Sequence, residues 1–152
     1  MTIGLISDTH GLLRPEAIEA LQGVDHILHA GDVGKPHILP ALEAIAPVTV
    51  VRGNIDKAAF AAEIPYQEVI ELGGFFFYMI HILDDLDIDP EGAGMDVVVY
   101  GHSHRPDIKQ KNGVLYINPG SAGPRRFSLP ITVAKIEIKD HKLNAKIIDL
   151  EN

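Results

Sequence analysis

Five apolar runs along this chain share one design, each ending beside a side chain able to bind a metal. They are Ile3-Gly4-Leu5-Ile6-Ser7 before Asp8 and His10, Ile27-Leu28-His29-Ala30-Gly31 before Asp32, and Val48-Thr49-Val50-Val51-Arg52-Gly53 before Asn54. Phe75-Phe76-Phe77-Tyr78-Met79-Ile80 precedes His81, and Val97-Val98-Val99-Tyr100-Gly101 precedes His102 and His104. Short β-branched or aromatic runs bounded by Gly or polar residues predict strands buried on both faces. Between the first three, Arg14 to Gly23 predicts a helix: Pro15 suits its first turn, Ala17, Ile18 and Leu21 share a face, and Gly23 can end it. Pro36 to Ile45, stopped before Pro47, predicts a second. Strand–helix–strand–helix–strand is the pattern of a parallel sheet with right-handed crossovers.

Further on the pattern becomes one of hairpins. Glu68 to Leu72 and Phe75 to Ile80 flank Gly73-Gly74; Ile108 to Gln110 and Val114 to Ile117 flank Lys111-Asn112-Gly113. Ile131 to Ile138 and Leu143 to Leu150 surround Asp140-His141. An α/β half followed by an antiparallel half predicts two sheets packed face to face with helices outside. Leu83 to Gly94 has no helical apolar stripe, carries Asp84, Asp85, Asp87 and Asp89, and is broken by Pro90, Gly92 and Gly94. It reads as a mobile loop beside the site, its acidic run a solvated face.

Composition narrows the function classes. A chain of 152 residues is one domain, long enough to bury about two-thirds of its unfolded surface. No apolar run approaches the roughly 20 residues needed to span a bilayer. The N-terminus has no basic stretch and enters a strand at once, unlike a signal peptide. The cytoplasm is therefore the expected compartment. With no cysteine, any metal must be held by His, Asp and Asn. A net charge of −8 argues against a general nucleic-acid surface, since polyanion binders concentrate Lys and Arg. A small phosphate ester stays compatible, because divalent ions would offset the local carboxylates. Homo-oligomers are left open.

In open α/β sheets, ligands bind in the crevice beyond the carboxyl ends of the strands. Folding such a sheet would gather Asp8, His10, Asp32, Asn54, His81, His102 and His104 along one rim. Seven N and O donors are too many for one tetrahedral ion and suit two ions sharing a carboxylate. Asp8 and His10 lie two residues apart, as do His102 and His104, so each pair can point into the same rim. Gly31 lets the chain turn so that both oxygens of Asp32 are free to bridge, and Asn54 supplies a neutral oxygen donor.

In this order, D-x-H, G-D, G-N, a lone histidine and G-H-x-H, the blocks resemble the calcineurin-like metallophosphoesterase superfamily, and most of all its small single-domain phosphodiesterase branch. The resemblance runs from Ile3 to the turn Asn118-Pro119-Gly120-Ser121 and the Pro124-Arg125 after it. It implies an α/β fold, a four-layer β-sandwich of two mixed sheets flanked by helices, with residues 1–152 as a single metallophosphoesterase domain. It also implies one ion on Asp8, His10, Asp32 and His104, and a second on Asp32, Asn54, His81 and His102. The activity implied is dinuclear, metal-dependent hydrolysis of small phosphodiesters. Two ions about 3.5–4 Å apart would activate a bridging hydroxide and clamp the phosphoryl oxygens. Asp32 would hold the pair together, while Asn54 and His102 position the phosphate. Manganese is the ion the resemblance favours; Zn, Fe, Ni and Co suit the same donors.

Two positions depart from the superfamily pattern. The residue after the G-N asparagine, often a histidine that protonates the leaving group, is Ile55 here, followed by Asp56. The branch also usually continues from the third-block histidine into Gly-His, where this chain has His81-Ile82-Leu83. Asp56 reads as a turn residue more readily than as a substitute acid. His29, alternating with Leu28 in a buried strand, reads as structural or as a support for the ligands. Arg125 and Arg126 read as a solvated loop pair. Some relatives in the branch serve as scaffold subunits of membrane-coat assemblies, which sets a rival expectation: a non-catalytic interaction protein on the same fold. A scaffold need not keep all seven donors, and this chain keeps them.

Overall fold

The computed structural model describes residues 1–151. β1 (Thr2–Ile6), β2 (His26–His29) and β3 (Val48–Val50) run parallel, with Leu5 beside Leu28 and Leu28 beside Thr49. The two crossover helices are present but short, α1 (Pro15–Ala20) and α2 (Ile38–Glu43). Each is trimmed relative to the expectation. Arg14 stays extended to let Pro15 start α1, whose last residues unwind into a turn at Leu21. Pro40 sits in the first turn of α2, where its missing N–H removes no helical bond.

The second sheet contains β4 (Gln67–Leu72), β5 (Phe75–Ile80), β6 (Val97–Val99), β7 (Asp107–Lys111) and β8 (Val114–Asn118), in the order β4-β5-β6-β8-β7. Both Gly-containing turns make the expected hairpins, β4–β5 and β7–β8. The sheet is nevertheless mixed rather than antiparallel, because β5, β6 and β8 pair in parallel. The third hairpin, β9 (Thr132–Lys139) with β10 (Lys142–Asp149), returns to the first sheet and lays β9 antiparallel on β1. That sheet is then β10-β9-β1-β2-β3.

Apolar burial stacks the molecule in four layers. Leu5, Leu28 and Ile136 of one sheet meet Phe77, Met79, Val97 and Ile117 of the other in the central core. Ala17, Leu21, Ile38 and Leu42 of the helices cover Ile6, Ile27 and Val133 on the outer face of the first sheet. The fourth layer corrects the expectation of a loose loop. Leu83, Leu86, Ile88 and Met95 pack on Tyr78, Ile80, Val98 and Tyr100, so the acidic segment is pinned over the second sheet as a 3₁₀ turn (Leu83–Asp85) and further turns. Its apolar residues fall at irregular spacing, which is why no helical or strand period marks them. Among the described residues no helix is long and apolar enough to cross a membrane.

Candidate metal centre

The carboxyl ends of β1, β2, β3, β5 and β6 bring the seven predicted donors to one rim. Asp8, Asp32, His81 and His104 are buried, His10 is half-buried, and Asn54 and His102 are exposed. Five of the seven hold left-handed backbone: Asp8 (φ 56°), His10 (47°), Asp32 (58°), His102 (72°) and His104 (63°). For non-glycine residues that conformation costs about 1–2 kcal/mol each. Strain of this kind persists where the surroundings over-determine it, and it clusters at functional sites.

Each carboxylate has one oxygen anchored and the other left facing histidines. Asp8 Oδ2 accepts the Ser7 hydroxyl (2.7 Å) and the His102 N–H (3.1 Å). Asp8 Oδ1 has no hydrogen-bond partner and lies 3.7 Å from His10 Nε2, 3.7 Å from His81 Nε2 and 3.5 Å from His104 Nε2. Asp32 Oδ1 accepts the Ile55 N–H (3.1 Å), while its Oδ2 is 3.2 Å from His81 Nε2 and 3.5 Å from His10 Nε2. His81 Nδ1 is 2.7 Å from the Ala30 carbonyl, which fixes the proton on Nδ1 and turns Nε2 inward. Buried His10 Nε2, His81 Nε2 and His104 Nδ1 are also unpartnered.

Orphaned buried polar atoms are rare in native proteins and call for an explanation. Two ligands about 2.0–2.1 Å from a tetrahedral ion stand about 3.4 Å apart, and the carboxylate–imidazole spacings here bracket that value. The donor set therefore fits a metal. Two ligand groups emerge, Asp8–His10–His104 and Asp8–Asp32–His81. Asp8 belongs to both and Asp32 to one, so this grouping shares Asp8, where the sequence expectation shared Asp32. Asn54 Oδ1 and His102 Nδ1 face each other at 3.2 Å on the solvent side.

The electrostatics agree with this arrangement. Burial works to raise the Asp8 pKa, but His10, His81, Ser7 and His104 outweigh it and hold the carboxyl below its usual range. Asp32 is likewise lowered against its burial, chiefly by His81. Burial works to lower the His81 pKa, yet Asp32 and Asp8 draw it above the usual value. Two ionised acids beside His81 make this rim favourable to positive charge.

Supporting residues lock the loops. Gly31 N–H donates to His29 Nδ1 (3.0 Å), which puts the ring proton on Nε2, 3.1 Å from Thr9 Oγ1; the Thr9 hydroxyl in turn donates to the Val33 carbonyl (2.9 Å). His29 is fully buried and its pKa falls to about 4 through desolvation, so it stays neutral, in the supporting role expected of it. Asp56 is buried and accepts N–H bonds from Val33 (3.1 Å), Gly34 (3.0 Å) and Gly53 (2.9 Å). It is a clamp between two ligand loops, with both oxygens occupied. A Cβ at Gly53 would overlap the carboxylate and backbone of Asp32, and one at Gly101 would overlap the Ser7 hydroxyl, which gives the glycines before Asn54 and His102 a steric reason.

Three supports had no role assigned from sequence. Ser7 orients Asp8; Asn118 Nδ2 donates to the Gly101 carbonyl (3.2 Å) and Ser103 Oγ (3.1 Å); the Ser121 hydroxyl donates to the Asp8 carbonyl (3.2 Å). Their signal was present: polar residues closing or following apolar strands. Arg125 and Arg126 are both exposed, as expected of a solvated loop pair, and Arg125 also donates to the Leu129 carbonyl and pairs with Glu151.

Comparison with known proteins defines the class. The sequence model of the calcineurin-like phosphoesterase superfamily domain matches residues 1–141. A probable metallophosphoesterase of Methanothermobacter thermautotrophicus is 37% identical, over 97% of this chain and 92% of that protein. The phosphodiesterase YfcE of Escherichia coli is 30% identical, over 90% of this chain and 88% of its own length. Among solved structures, an archaeal phosphodiesterase superposes with a TM-score of 0.80 at 24% identity, covering 97% of this chain and all of the other (100%). Vps29 of Chaetomium thermophilum shares the fold at a TM-score of 0.79 and 17% identity, over 97% and 96% of the two chains. The chain belongs to the calcineurin-like phosphoesterase superfamily. It is a metal-dependent phosphoesterase.

Proposed function

We propose that the chain, residues 1–152 acting as one cytoplasmic domain, is a dinuclear phosphodiesterase that hydrolyses small phosphodiesters, with manganese the first ion to test. The observation that carries this reading is the convergence of the unpartnered Asp8 Oδ1, His10 Nε2 and His81 Nε2 beside the Asp32 carboxylate, with His104 Nε2 3.5 Å from Asp8 Oδ1. Asp8, His10, Asp32 and His104 would hold one ion; Asp32, Asn54, His81 and His102 the other. Two bound divalent ions supply an activated water near neutral pH and positive charge for the phosphoryl oxygens.

The chain's own residues do the rest. Ser7, Ala30, Ile55 and the His102 N–H fix the ligands before substrate arrives, so little reorganisation accompanies reaction. Asn54 and His102, exposed and paired, are placed to meet a phosphate entering from solvent and to orient its oxygens. No proton donor stands at Ile55, and both oxygens of Asp56 are committed to the backbone. Rates should therefore fall steeply as the leaving-group pKa rises. The complete donor set, which a scaffold has no need of, favours an enzyme over an interaction protein.

The test is metal stoichiometry with turnover of bis(4-nitrophenyl) phosphate. Reconstituted protein should carry two ions per chain by elemental analysis. Asp32→Ala should lose both together and cut turnover by at least about 10²–10³-fold, whereas His104→Ala should weaken mainly one. A single ion in the reconstituted parent protein removes the dinuclear reading.

A further inference from the structure

A cavity of about 290 Å³ opens directly beside the metal rim and shares Gly53, Asn54 and His81 with it. Its remaining wall is built from Ile80 and Ile82, which are apolar, from Tyr66, and from three polar groups, Arg52, Gln67 and Asp85. The ions' own chemistry makes no use of these side chains.

Tyr66 is the unusual element. The residue is 62% exposed and belongs to no core cluster, yet its ring is held by Arg52. The Arg52 guanidinium lies over the ring, 4.7 Å from its centroid, and Arg52 Nη1 donates to the Tyr66 hydroxyl (3.3 Å). Arg52 is itself anchored through Nε to the Ile64 carbonyl (3.1 Å) and through Nη2 to the Ala62 carbonyl (2.6 Å). An exposed aromatic ring pre-set in one orientation offers flat contact area at little entropic cost on binding. Arg52 also sits two residues before Asn54, which ties the platform to the site by the chain itself.

We infer that this cavity receives the organic arm of the phosphodiester, and that the arm is a nucleobase stacked against Tyr66 with its donors turned to Asp85 and Gln67. The inference rests on the phosphodiesterase reading and specifies its substrate class as a nucleoside phosphodiester. Three features select this arm over others. The volume is at the low end for small-molecule pockets, roughly 300–1,000 Å³, and suits one ring system rather than a long chain. An alkyl arm would leave the exposed polar groups of Asp85 and Gln67 at the wall without the hydrogen-bond partners that a nucleobase supplies. A second phosphate would meet the Asp85 carboxylate, while Arg52, the one arginine or lysine in the wall, already spends bonds on Ile64, Ala62 and Tyr66.

The experiment measures binding to manganese-loaded protein by calorimetry, comparing the methyl ester of adenosine 5′-monophosphate with dimethyl phosphate. The nucleoside diester should bind at least tenfold more tightly. Tyr66→Ala should shrink that preference towards one, and Tyr66→Phe, which keeps the ring, should retain most of it. Equal affinity for the two diesters in the parent protein, or a preference that survives Tyr66→Ala, overturns the inference. Hydrolysis of bis(4-nitrophenyl) phosphate is followed in parallel. Tyr66-dependent nucleoside binding without any diester hydrolysis would sink the phosphodiesterase reading while leaving the subsite, and hydrolysis without nucleoside preference would do the reverse.

Discussion

At the floor of the rim, Asp8 and Asp32 are buried; the His29–Thr9–Val33 chain joins the loops that carry them, and three N–H bonds into Asp56 tie the Asp32 loop to Gly53. At its lip, Asn54 and His102 are exposed; their side chains hydrogen-bond to each other at 3.2 Å, and the His102 ring stands edge-on to His81. The floor thus carries its own structural support whether or not a metal is bound, and it can hold strained left-handed residues in place. The lip side chains lack such buried support. The division assigns stability to one set of residues and substrate handling to the other, and substitutions in metal-free protein can separate them.

The largest loss of stability should come from Gly53→Ala. Its Cβ would meet backbone as well as the Asp32 carboxylate, so nothing flexible can yield, and roughly 3 kcal/mol or more should be lost in chemical denaturation of the chelated protein. Asp56→Asn should follow at about 2–3 kcal/mol, because one amide oxygen cannot serve three N–H donors and the amide nitrogen would face at least one of them. Metal affinity should fall about 10–100-fold with it. The dependence of rate on leaving-group pKa should be unchanged in slope. A steeper slope in Asp56→Asn would identify Asp56 as an acid after all.

Much of the floor was legible in the sequence because its residues close apolar strands, and a polar residue after Ile6, Gly31 or Ile80 has few structural reasons to be there. The hairpins were legible from Gly73-Gly74 and Asn112-Gly113 for the same local reason. Asp56 was not: its partners Val33 and Gly34 lie more than 20 positions away, and nothing in the local pattern separates a clamp from a turn residue. Non-local pairing hid the sheet order as well. Ile131 to Ile138 reads as a strand, but only packing shows that it returns to β1 instead of extending the second sheet. Leu83, Leu86 and Ile88 form a layer without a period, so the segment looked like solvent-facing loop.

A smaller effect, and one that depends on pH, tests the His29 link. The folded pKa of about 4 lies below the ordinary 6.5, so above pH 6.5 both folded and unfolded states are neutral and the bond network keeps its full value. As pH falls below 6.5 the unfolded chain takes up a proton that the buried ring refuses, and stability drops until the folded pKa is reached. Between pH 7 and 4.5 this one group should remove about 2 kcal/mol. His29→Gln should start less stable at pH 7 but lose about that much less over the same range. Parallel loss in both proteins would mean that the ring is not held neutral.

The smallest effect on stability belongs to the lip. In His102→Ala the backbone N–H that anchors Asp8 Oδ2 remains, and the only side-chain bond removed is the exposed one to Asn54. Metal-free protein should therefore denature within about 0.5 kcal/mol of the parent. Turnover of bis(4-nitrophenyl) phosphate should nonetheless fall about 10²–10³-fold, the scale expected when a group positioned for the transition state is lost. The split between the two measurements is what distinguishes lip from floor. If His102→Ala destabilised the metal-free chain as much as Asp56→Asn, the imidazole would be part of the supporting structure, and the boundary would have to be drawn outside His102.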